Sequence, residues 1–393
     1  MRILQIREQP VRLRGDVENA VVNFAEHTVS IVAVVSDVRR GGEPVAGVAF
    51  NSIGRHAQSS IIRDRMAPRI LGADPEALLH DGDGAPSAAR LDPARVLACV
   101  LRDEKPGGHG DRASAAAAIE LACWDLNAKL SDEPAYETIA RHFGRPIISN
   151  RIPVYAAGGY YRPGNSLAEL RAEIRSYLDQ GYDSVKIKIG GVPLAEDLAR
   201  IDAARGILDG GQHLAVDANG RFDRQTALDY AKALGPYGLR WYEEPGDPLD
   251  YALIRDVIDT YGGAVATGEN LFSIADVRNL VRYAGLRPER DLVQMDAGLS
   301  YGLTEYGGML EVLAEHGIDR SSAFPHGGHL INLHIAVGLG LGGCESYPGV
   351  FGPFGGYSPG CTISDGRIAP ADDPGFGLEA KPDLAGVIAD LLA

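Results

Sequence analysis

The 393-residue sequence predicts an α/β protein whose larger part is a closed (β/α)-barrel. From residue 152 onward, apolar runs rich in β-branched residues alternate with segments whose apolar residues recur at helical spacing. One strand and one helix per unit predicts a parallel sheet, and seven or more units in a row predict closure into a barrel. The predicted strands are IPVYAAGG, SVKIKIG, HLAVDANG, RWYEEP, AVATGEN, LVQMDAG and SSAFPHGG, with helices between them over 167–178, 194–208 and 224–234.

The N-terminal part and the C-terminal tail differ from this repeating region. Residues 28–38 form a β-branched run that stops at RRGG before PVAGVAF resumes, which predicts a β-hairpin. Residues 114–129 combine strong helix formers with apolar residues at helical spacing, which predicts a helix. After about residue 345 the chain is rich in Gly and Pro and ends in a helical pattern, so we expect it to fold back against the N-terminal segment.

Composition argues against several classes of protein. A formal net charge of −15 argues against a nucleic-acid partner, because phosphates require a basic surface. The sequence has no run of eighteen apolar residues, and its start lacks the apolar core of a secretory signal, so neither a membrane partner nor secretion is expected. Four widely scattered cysteines fit neither a disulfide framework nor a zinc site, which favours reduced thiols in the cytoplasm.

Ionisable residues stand at the ends of successive predicted strands. From position 188 onward they recur every 26 to 30 residues, which is the length of one strand-helix unit. Residues placed in this way converge at the carboxyl ends of barrel strands, whereas scattered surface charges would have no reason to keep this interval. In chain order they are Lys186 with Lys188, Asp217, Glu243 with Glu244, Glu269, Asp296 and His326.

Three of these residues form a candidate metal site. Asp217, Glu243 and Glu269 end three adjacent predicted strands, where without a cation their carboxylates would repel one another. An oxygen-only set with few protein ligands favours Mg²⁺, while zinc is disfavoured because no histidine or cysteine stands at these positions. The alternative is that each carboxylate caps the helix that follows it, which is a weak explanation for all three at equivalent points.

The other charged positions suggest acid-base chemistry. Lys186 and Lys188 alternate on one strand, so both side chains face the same side. Two lysines near a metal ion are expected to depress each other's pKa, which would let one act as a base. His326 is expected to pair with Asp296 one unit earlier, since a carboxylate fixes the tautomer of an imidazole and holds it protonated. The alternative is that His326 only caps a helix in a glycine-rich loop.

Two further patterns are interpreted as structural. Gly338-x-Gly340-x-x-Gly343 matches a dinucleotide fingerprint formally, but it does not follow a strand and open a helix within its own βαβ unit. Close helix packing or loop geometry is the preferred interpretation. His329 and His334 follow His326 at a spacing that fits no common zinc motif, so they are expected to support the site or the fold.

The motifs that carry these residues resemble the enolase superfamily, and specifically its mandelate-racemase subgroup. They are VKIKIGG, VDANGRF, WYEEP, ATGEN, QMDAG and FPHGGH. The resemblance covers essentially the whole chain and implies a (β/α)₇β-barrel at 131–345. It also implies an α+β capping domain at 1–130 and a tail at 346–393 that returns to that domain. Since this superfamily commonly forms symmetric assemblies, a homo-oligomer is expected.

Segments outside the shared catalytic pattern resemble the D-tartrate dehydratases of that subgroup. These are EKPGGHG, AFNS, AAGGYY and GLGLGGCESYPGVF. The resemblance implies Mg²⁺-dependent dehydration of a small hydroxy-dicarboxylate, D-tartrate, to oxaloacetate. Lys188 would take the α-proton with Lys186 lowering its pKa, and His326, held by Asp296, would protonate the departing β-hydroxyl.

The same resemblance implies further site residues. Glu345, on the last strand, would hydrogen-bond the enolate oxygen. Lys105, Asn51 and Asn19 would come from the capping domain to hold the distal carboxylate, and the Lys105 cation would help to draw a dianion to an acidic protein.

Three alternatives remain open from the sequence. The first is a dehydratase for a longer aldonate, whose polyol end would need a neutral pocket. The second is a racemase or epimerase, in which the same acid and base return the proton to the opposite face. The third is a catalytically silent binding or scaffold protein, which would have no need of the complete set of lysines, carboxylates and histidine.

Overall fold

The fold is taken from a computed structural model that describes residues 1–80, 89–162, 164 and 166–393. The N-terminal part forms an antiparallel sheet with strand order β1-β2-β3. Its strands are β1 (Ile3–Arg12), β2 (Thr28–Arg40) and β3 (Glu43–Phe50). The turn between β2 and β3 lies at Gly41 and Gly42, both with positive φ, so the predicted hairpin is confirmed.

Helices cover this sheet and join it to the barrel. They are α1 (Ala67–Leu71), α2 (Pro93–Val100), α3 (Asp111–Ser131) and α4 (Ala135–His142). Helix α3 contains the predicted helical segment 114–129, and the helix is buried except at its two ends. It packs on β2 and β3. The approach is close at Gly47, where an added Cβ would lie 2.0 Å from the Ala122 carbonyl oxygen, so any larger side chain would push the helix away.

The repeating region folds into a barrel of parallel strands. Its strands are β4 (Ile152–Gly158), β5 (Val185–Lys188), β6 (Leu214–Asp217), β7 (Tyr242–Glu243), β8 (Val265–Thr267), β9 (Leu292–Val293) and β10 (Cys344–Ser346). The helices between them are α5 (Leu167–Asp179), α6 (Leu194–Leu208), α7 (Arg224–Leu234), α8 (Tyr251–Tyr261), α9 (Ile274–Tyr283), α10 (Leu303–Glu315) and α11 (Leu330–Leu339). Strands β4 to β9 are neighbours in chain order, and β10 returns to pair with β4.

The seventh predicted strand, SSAFPHGG, is much shorter than the sequence suggests. It is reduced to a bridge between Ala323 and Val293 of β9, and the Ala323 carbonyl accepts from the Gly342 N–H just before β10. Pro325 follows closely and has no N–H to continue a ladder. This bridge nevertheless fills the gap between β9 and β10, so the predicted (β/α)₇β architecture is confirmed.

The C-terminal tail contacts both parts of the molecule. Strands β11 (Thr362–Ser364) and β12 (Arg367–Ala369) form a hairpin, and β12 pairs antiparallel with β4 of the barrel. Helix α12 (Pro382–Leu392) packs on β1 and β2, as expected for a returning tail. The pairing of β12 with the barrel was not expected. The division of the chain at residues 130 and 345 stays a prediction.

Three structural details bear on the sequence interpretation. Across the described ranges, no helix combines the length and apolar character that a bilayer crossing needs. All four cysteines carry free thiols. Gly338 lies inside α11, which packs against α4, so the formal dinucleotide motif belongs to close helix packing.

Candidate active site

The barrel places the predicted charged residues side by side. Lys188 is the register partner of Asp217 across β5 and β6, and Asp217 is the partner of Glu243 across β6 and β7. Since neighbouring strands lie about 4.8 Å apart, side chains in one such row meet at the barrel mouth. Glu269 follows two residues after β8 and joins the same group. The regular spacing in the sequence therefore corresponds to a real row of side chains.

Asp217, Glu243 and Glu269 form a compact acidic trio. Each offers a carboxylate oxygen, and these atoms all lie within 4.8 Å of one another. Donors from the barrel fix the orientations of Asp217 and Glu243. The Asn219 backbone N–H donates to Asp217 at 2.8 Å. Glu243 Oε2 accepts from Trp241 Nε1 at 2.7 Å and from a glutamine side chain at 2.8 Å.

The donor set of the trio fits a magnesium ion. Burial raises the pKa of Glu243 to about 8, and the adjacent Asp217 carboxylate adds to this rise. A divalent cation would relieve the repulsion, because it favours the charged form of each ligand. Three carboxylates without nitrogen or sulfur ligands suit Mg²⁺, which keeps its remaining positions for water or substrate. Asp217, Glu243 and Glu269 would hold the ion.

Both lysines of the Lys-x-Lys pair point into this acidic group. Lys188 Nζ lies 2.5 Å from Asp217 Oδ2. Lys186 Nζ lies 2.5 Å from Glu243 Oε1 and 2.9 Å from Glu345 Oε1. Burial alone would lower the pKa of Lys186, but the charges of Glu243 and Glu345 outweigh burial and raise it. In this arrangement the carboxylates hold Lys186 as a cation, and the mutual depression expected for two lysines beside a metal ion stays a prediction.

His326 and Asp296 form the predicted pair. His326 Nδ1 lies 3.0 Å from Asp296 Oδ2, while Asp296 Oδ1 accepts from the Gly298 N–H at 2.8 Å. Burial disfavours the charged imidazole, but Glu269 and Asp296 outweigh burial and raise the pKa of His326 to about 9. Its other nitrogen, Nε2, lies 3.0 Å from the Tyr347 hydroxyl. The pairing with Asp296 therefore favours the protonated imidazole that an acid needs.

A cavity of about 160 Å³ opens between the barrel mouth and the N-terminal segments. Lys188, Glu269 and His326 line it, so base, metal ligand and acid face one space. Its wall also contains residues that the sequence analysis did not select. They are Val21, Val22, Phe24, Ile53, Gly54, Arg55, Tyr160, Asn219, Asn270, Leu299, Tyr347 and Phe351. Glu244, which the sequence analysis placed at the end of a predicted strand, lines the cavity as well.

Comparison with known proteins agrees with this fold. Residues 169–384, more than half of the chain, match the model of the family described as Enolase C-terminal domain-like. The chain belongs to this family. The sequence-based expectation of the enolase superfamily is thereby confirmed, whereas membership of the mandelate-racemase subgroup stays a prediction.

Relatives of this enolase-family chain include several sugar-acid enzymes. It is 29% identical over 294 residues to 3,6-anhydro-alpha-L-galactonate cycloisomerase of Streptomyces coelicolor, covering 72% of this chain and 73% of the relative. It is 28% identical over 363 residues to L-talarate/galactarate dehydratase of Salmonella typhimurium, covering 91% and 83%. The crystal structure of a Streptomyces coelicolor racemase with bound magnesium superposes with a TM-score of 0.75 at 22% identity, covering 95% of each chain.

The expected distal contacts are only partly present in this enolase-family site. Asn19 lines the cavity, but its Oδ1 accepts from the backbone N–H groups of Val21 and Val22 and so shapes its own loop. Asn51 is buried outside the cavity lining, where its Oδ1 accepts from the Ser30 N–H at 2.7 Å. Lys105 is exposed and does not line the cavity. The cation that the N-terminal part contributes to the cavity wall is instead Arg55.

Glu345 is close to the site but is already engaged. Oε1 pairs with Lys186, and Oε2 accepts from the Gly327 N–H at 2.9 Å. Burial tends to raise the pKa of Glu345, but Lys186 and His326 outweigh burial and lower it. The structure therefore shows an ionised acceptor that fixes Lys186. A hydrogen bond from this residue to substrate stays a prediction.

Tyr347 and Arg55 line the cavity but were not selected in the sequence analysis, and they differ in whether the sequence carried a signal for them. Tyr347 lies two residues after Glu345, and alternation along a strand places both on one face, so this tyrosine had a usable signal. Arg55 lies in an irregular segment after β3 with no periodic pattern. Its position depends on how the N-terminal part packs on the barrel.

Proposed function

We propose that this protein is a Mg²⁺-dependent dehydratase of acid sugars. The observation that carries the proposal is the shared cavity, where Lys188 and His326 flank a space that also contacts the acidic trio through Glu269. A base, an acid and a three-carboxylate metal site are the groups that proton removal next to a carboxylate requires. The resemblance of the catalytic motifs to the enolase superfamily supports the same reaction.

The chain's own residues supply the proton transfers. The α-carbon loses its proton to Lys188 Nζ as the C–H bond breaks. His326, oriented by Asp296, gives a proton from Nε2 to the β-hydroxyl, which leaves as water when its C–O bond breaks. The resulting enol takes a proton at the β-carbon, loses the proton of its 2-hydroxyl, and becomes a 2-keto-3-deoxy acid. Bound Mg²⁺ supplies Lewis-acid stabilisation of the negative charge that develops on the substrate carboxylate.

The relatives favour substrates longer than tartrate. The relative that spans 91% of this chain is named for talarate and galactarate, and another is named for anhydro-galactonate. D-tartrate, which the sequence segments suggested, is the narrower candidate within the same class. The reaction class rests on the barrel mouth, whereas substrate length depends on the N-terminal segments of the cavity.

A substrate panel tests this proposal directly. The protein with Mg²⁺ is incubated separately with galactarate, L-talarate, galactonate, arabinonate and D-tartrate, and 2-keto acid is measured with semicarbazide. Proton NMR in deuterated water follows exchange at the α-carbon in the same samples. We expect keto acid from at least one sugar acid of five or six carbons.

Each other outcome has a defined meaning. Keto acid from D-tartrate alone, as oxaloacetate, would restrict the function to the narrower candidate. Exchange or epimer formation without keto acid would contradict the dehydratase and favour a racemase. The absence of both exchange and keto acid with all five compounds would overturn the proposal.

A further inference from the structure

Arg55 is a cavity-lining cation whose chemistry the reaction does not use. It lies in the segment that follows β3, is half-buried, and faces the same cavity as Lys188 and His326. The preceding residue, Gly54, has φ +123°, a conformation that favours glycine, and a Cβ built on it would lie 3.9 Å from His326 Cε1. The bend at Gly54 therefore brings this segment close to His326, and the Arg55 side chain that follows lines the same cavity.

The guanidinium is held by contacts that leave it charged. Nη2 donates to Asn270 Oδ1 at 2.8 Å, and Nη1 donates to the Gly54 carbonyl at 2.8 Å. Asn270 in turn donates to Glu244 Oε1 at 2.9 Å, which fixes the amide in the orientation that Arg55 needs. The Phe272 ring lies 5.0 Å from the guanidinium carbon. Arg55 is thus positioned by neutral partners and by an aromatic face.

These contacts leave binding capacity on the guanidinium. Gly54 and Asn270 engage one N–H of each terminal nitrogen, and a guanidinium carries five N–H groups. Its planar fork matches a carboxylate better than it matches a neutral hydroxyl group. The remaining wall is acidic at Glu244 and Glu269, so a second substrate carboxylate would need such a cation.

We propose that Arg55 binds the carboxylate at the substrate end remote from the metal, and so selects aldarates over aldonates. This inference rests on the proposed function for its reaction, but its binding step can be measured separately. It replaces Lys105 as the distal cation, because Lys105 is exposed and lies outside the cavity lining.

The test uses two substrates that differ at one end. Galactarate and galactonate have the same six-carbon chain, with a carboxylate or a hydroxymethyl group at C6. We expect Arg55→Gln to lower kcat/KM for galactarate by about 100-fold and to change that for galactonate by less than about threefold, because a charge-assisted contact is lost only for the dianion. Arg55→Lys keeps the charge without the fork and should lose about tenfold.

A binding measurement separates this inference from the reaction itself. Galactarate, L-talarate and galactonate are titrated calorimetrically into Mg²⁺-loaded Lys188→Ala protein, with and without Arg55→Gln. The expected result is aldarate binding that weakens about 100-fold without Arg55. If the native protein dehydrates nothing while this pattern holds, the proposed function fails and the role of Arg55 stands.

Controls and contradicting outcomes are specific. Arg63→Gln makes the same change at an exposed arginine of the N-terminal part, and it should leave both substrates unaffected. The unfolding temperature of each variant shows whether it is folded. If Arg55→Gln does not fold, Arg55→Lys replaces it in the comparison of galactarate with galactonate. Equal losses for galactarate and galactonate, a loss that follows Lys105→Gln instead, or no aldarate binding by the Lys188→Ala parent would each overturn the proposal.

Discussion

The barrel mouth and the N-terminal wall of the cavity differ in how their charges are organised. At the mouth, Lys186, Lys188 and the acidic trio are packed within contact distance, and all but Glu269 are buried. On the N-terminal wall, the half-buried Arg55 is held by the Gly54 carbonyl, the Asn270 side chain and the Phe272 ring. A dense charge network suits bond making and breaking, whereas a single oriented cation suits recognition. The two regions therefore divide reaction class from substrate choice.

The largest expected effect belongs to the mouth and affects every substrate. Lys188→Ala should lower both dehydration and α-proton exchange by about 10³-fold, because general base catalysis typically contributes on that scale. The measurement is keto-acid formation together with deuterium incorporation at the α-carbon. Lys232→Ala, at an exposed lysine, is the matched control. A variant that kept exchange at the native rate would show that another group takes the proton.

Removing one metal ligand should also slow the reaction of every substrate. Its effect on Mg²⁺ binding can be measured without turnover. Mg²⁺ at a hundred times its Kd should stabilise the native protein by about 2.7 kcal/mol. In Glu269→Gln we expect less than half of this stabilisation, because a charged ligand has become neutral. Thermal unfolding with and without Mg²⁺ gives the shift, with the exposed Glu196→Gln as control. An unchanged shift in Glu269→Gln would place the ion elsewhere.

A smaller effect is expected at Tyr347, where the mouth meets the N-terminal wall. Its hydroxyl lies 3.0 Å from His326 Nε2 and so orients the acid without taking the α-proton. Tyr347→Phe should lower elimination by about tenfold and leave α-proton exchange nearly unchanged. The ratio of the two rates checks this, and the exposed Tyr283→Phe is the control. A parallel fall in both rates would mean that Tyr347 supports the whole site.

The last effect is on stability rather than activity, and it concerns a buried histidine outside the mouth. His334 Nδ1 accepts from the Tyr136 N–H, and burial lowers the pKa of His334 to about 3. Since the folded pKa lies below the unfolded value of about 6.5, its contribution to stability is present above pH 6.5 and is lost as the pH falls. At pH 5 this loss is about 2 kcal/mol.

Denaturation with urea at pH 7.5 and pH 5 measures this contribution. In His334→Asn, the loss of stability between the two pH values should be smaller than in the native protein by about 2 kcal/mol. The exposed His316→Asn should lose as much as the native protein. Equal losses in His334→Asn and the native protein would show that this imidazole is not held neutral by the fold.

The charged residues of the barrel mouth could be predicted from the sequence because they recur once in each strand-helix unit. Lys188, Asp217 and Glu243 end successive strands, and strand register then makes them neighbours. The shortening of the strand before His326 was not predicted, although Pro325, which has no N–H to donate, was a usable signal in the sequence. The distal wall was not predicted either, since Lys105 and Arg55 lie in non-repeating segments. Their access to the cavity is decided by the packing of the N-terminal part on the barrel.

The most direct test of the two-residue proton transfer is His326→Asn. With Mg²⁺ and the best substrate of the panel, we expect this variant to stop forming keto acid while Lys188 still exchanges the α-proton with deuterated water. Both rates come from one NMR time course. Elimination at the native rate in His326→Asn would refute the role of His326 as the acid, because the departing hydroxyl would then not need its proton.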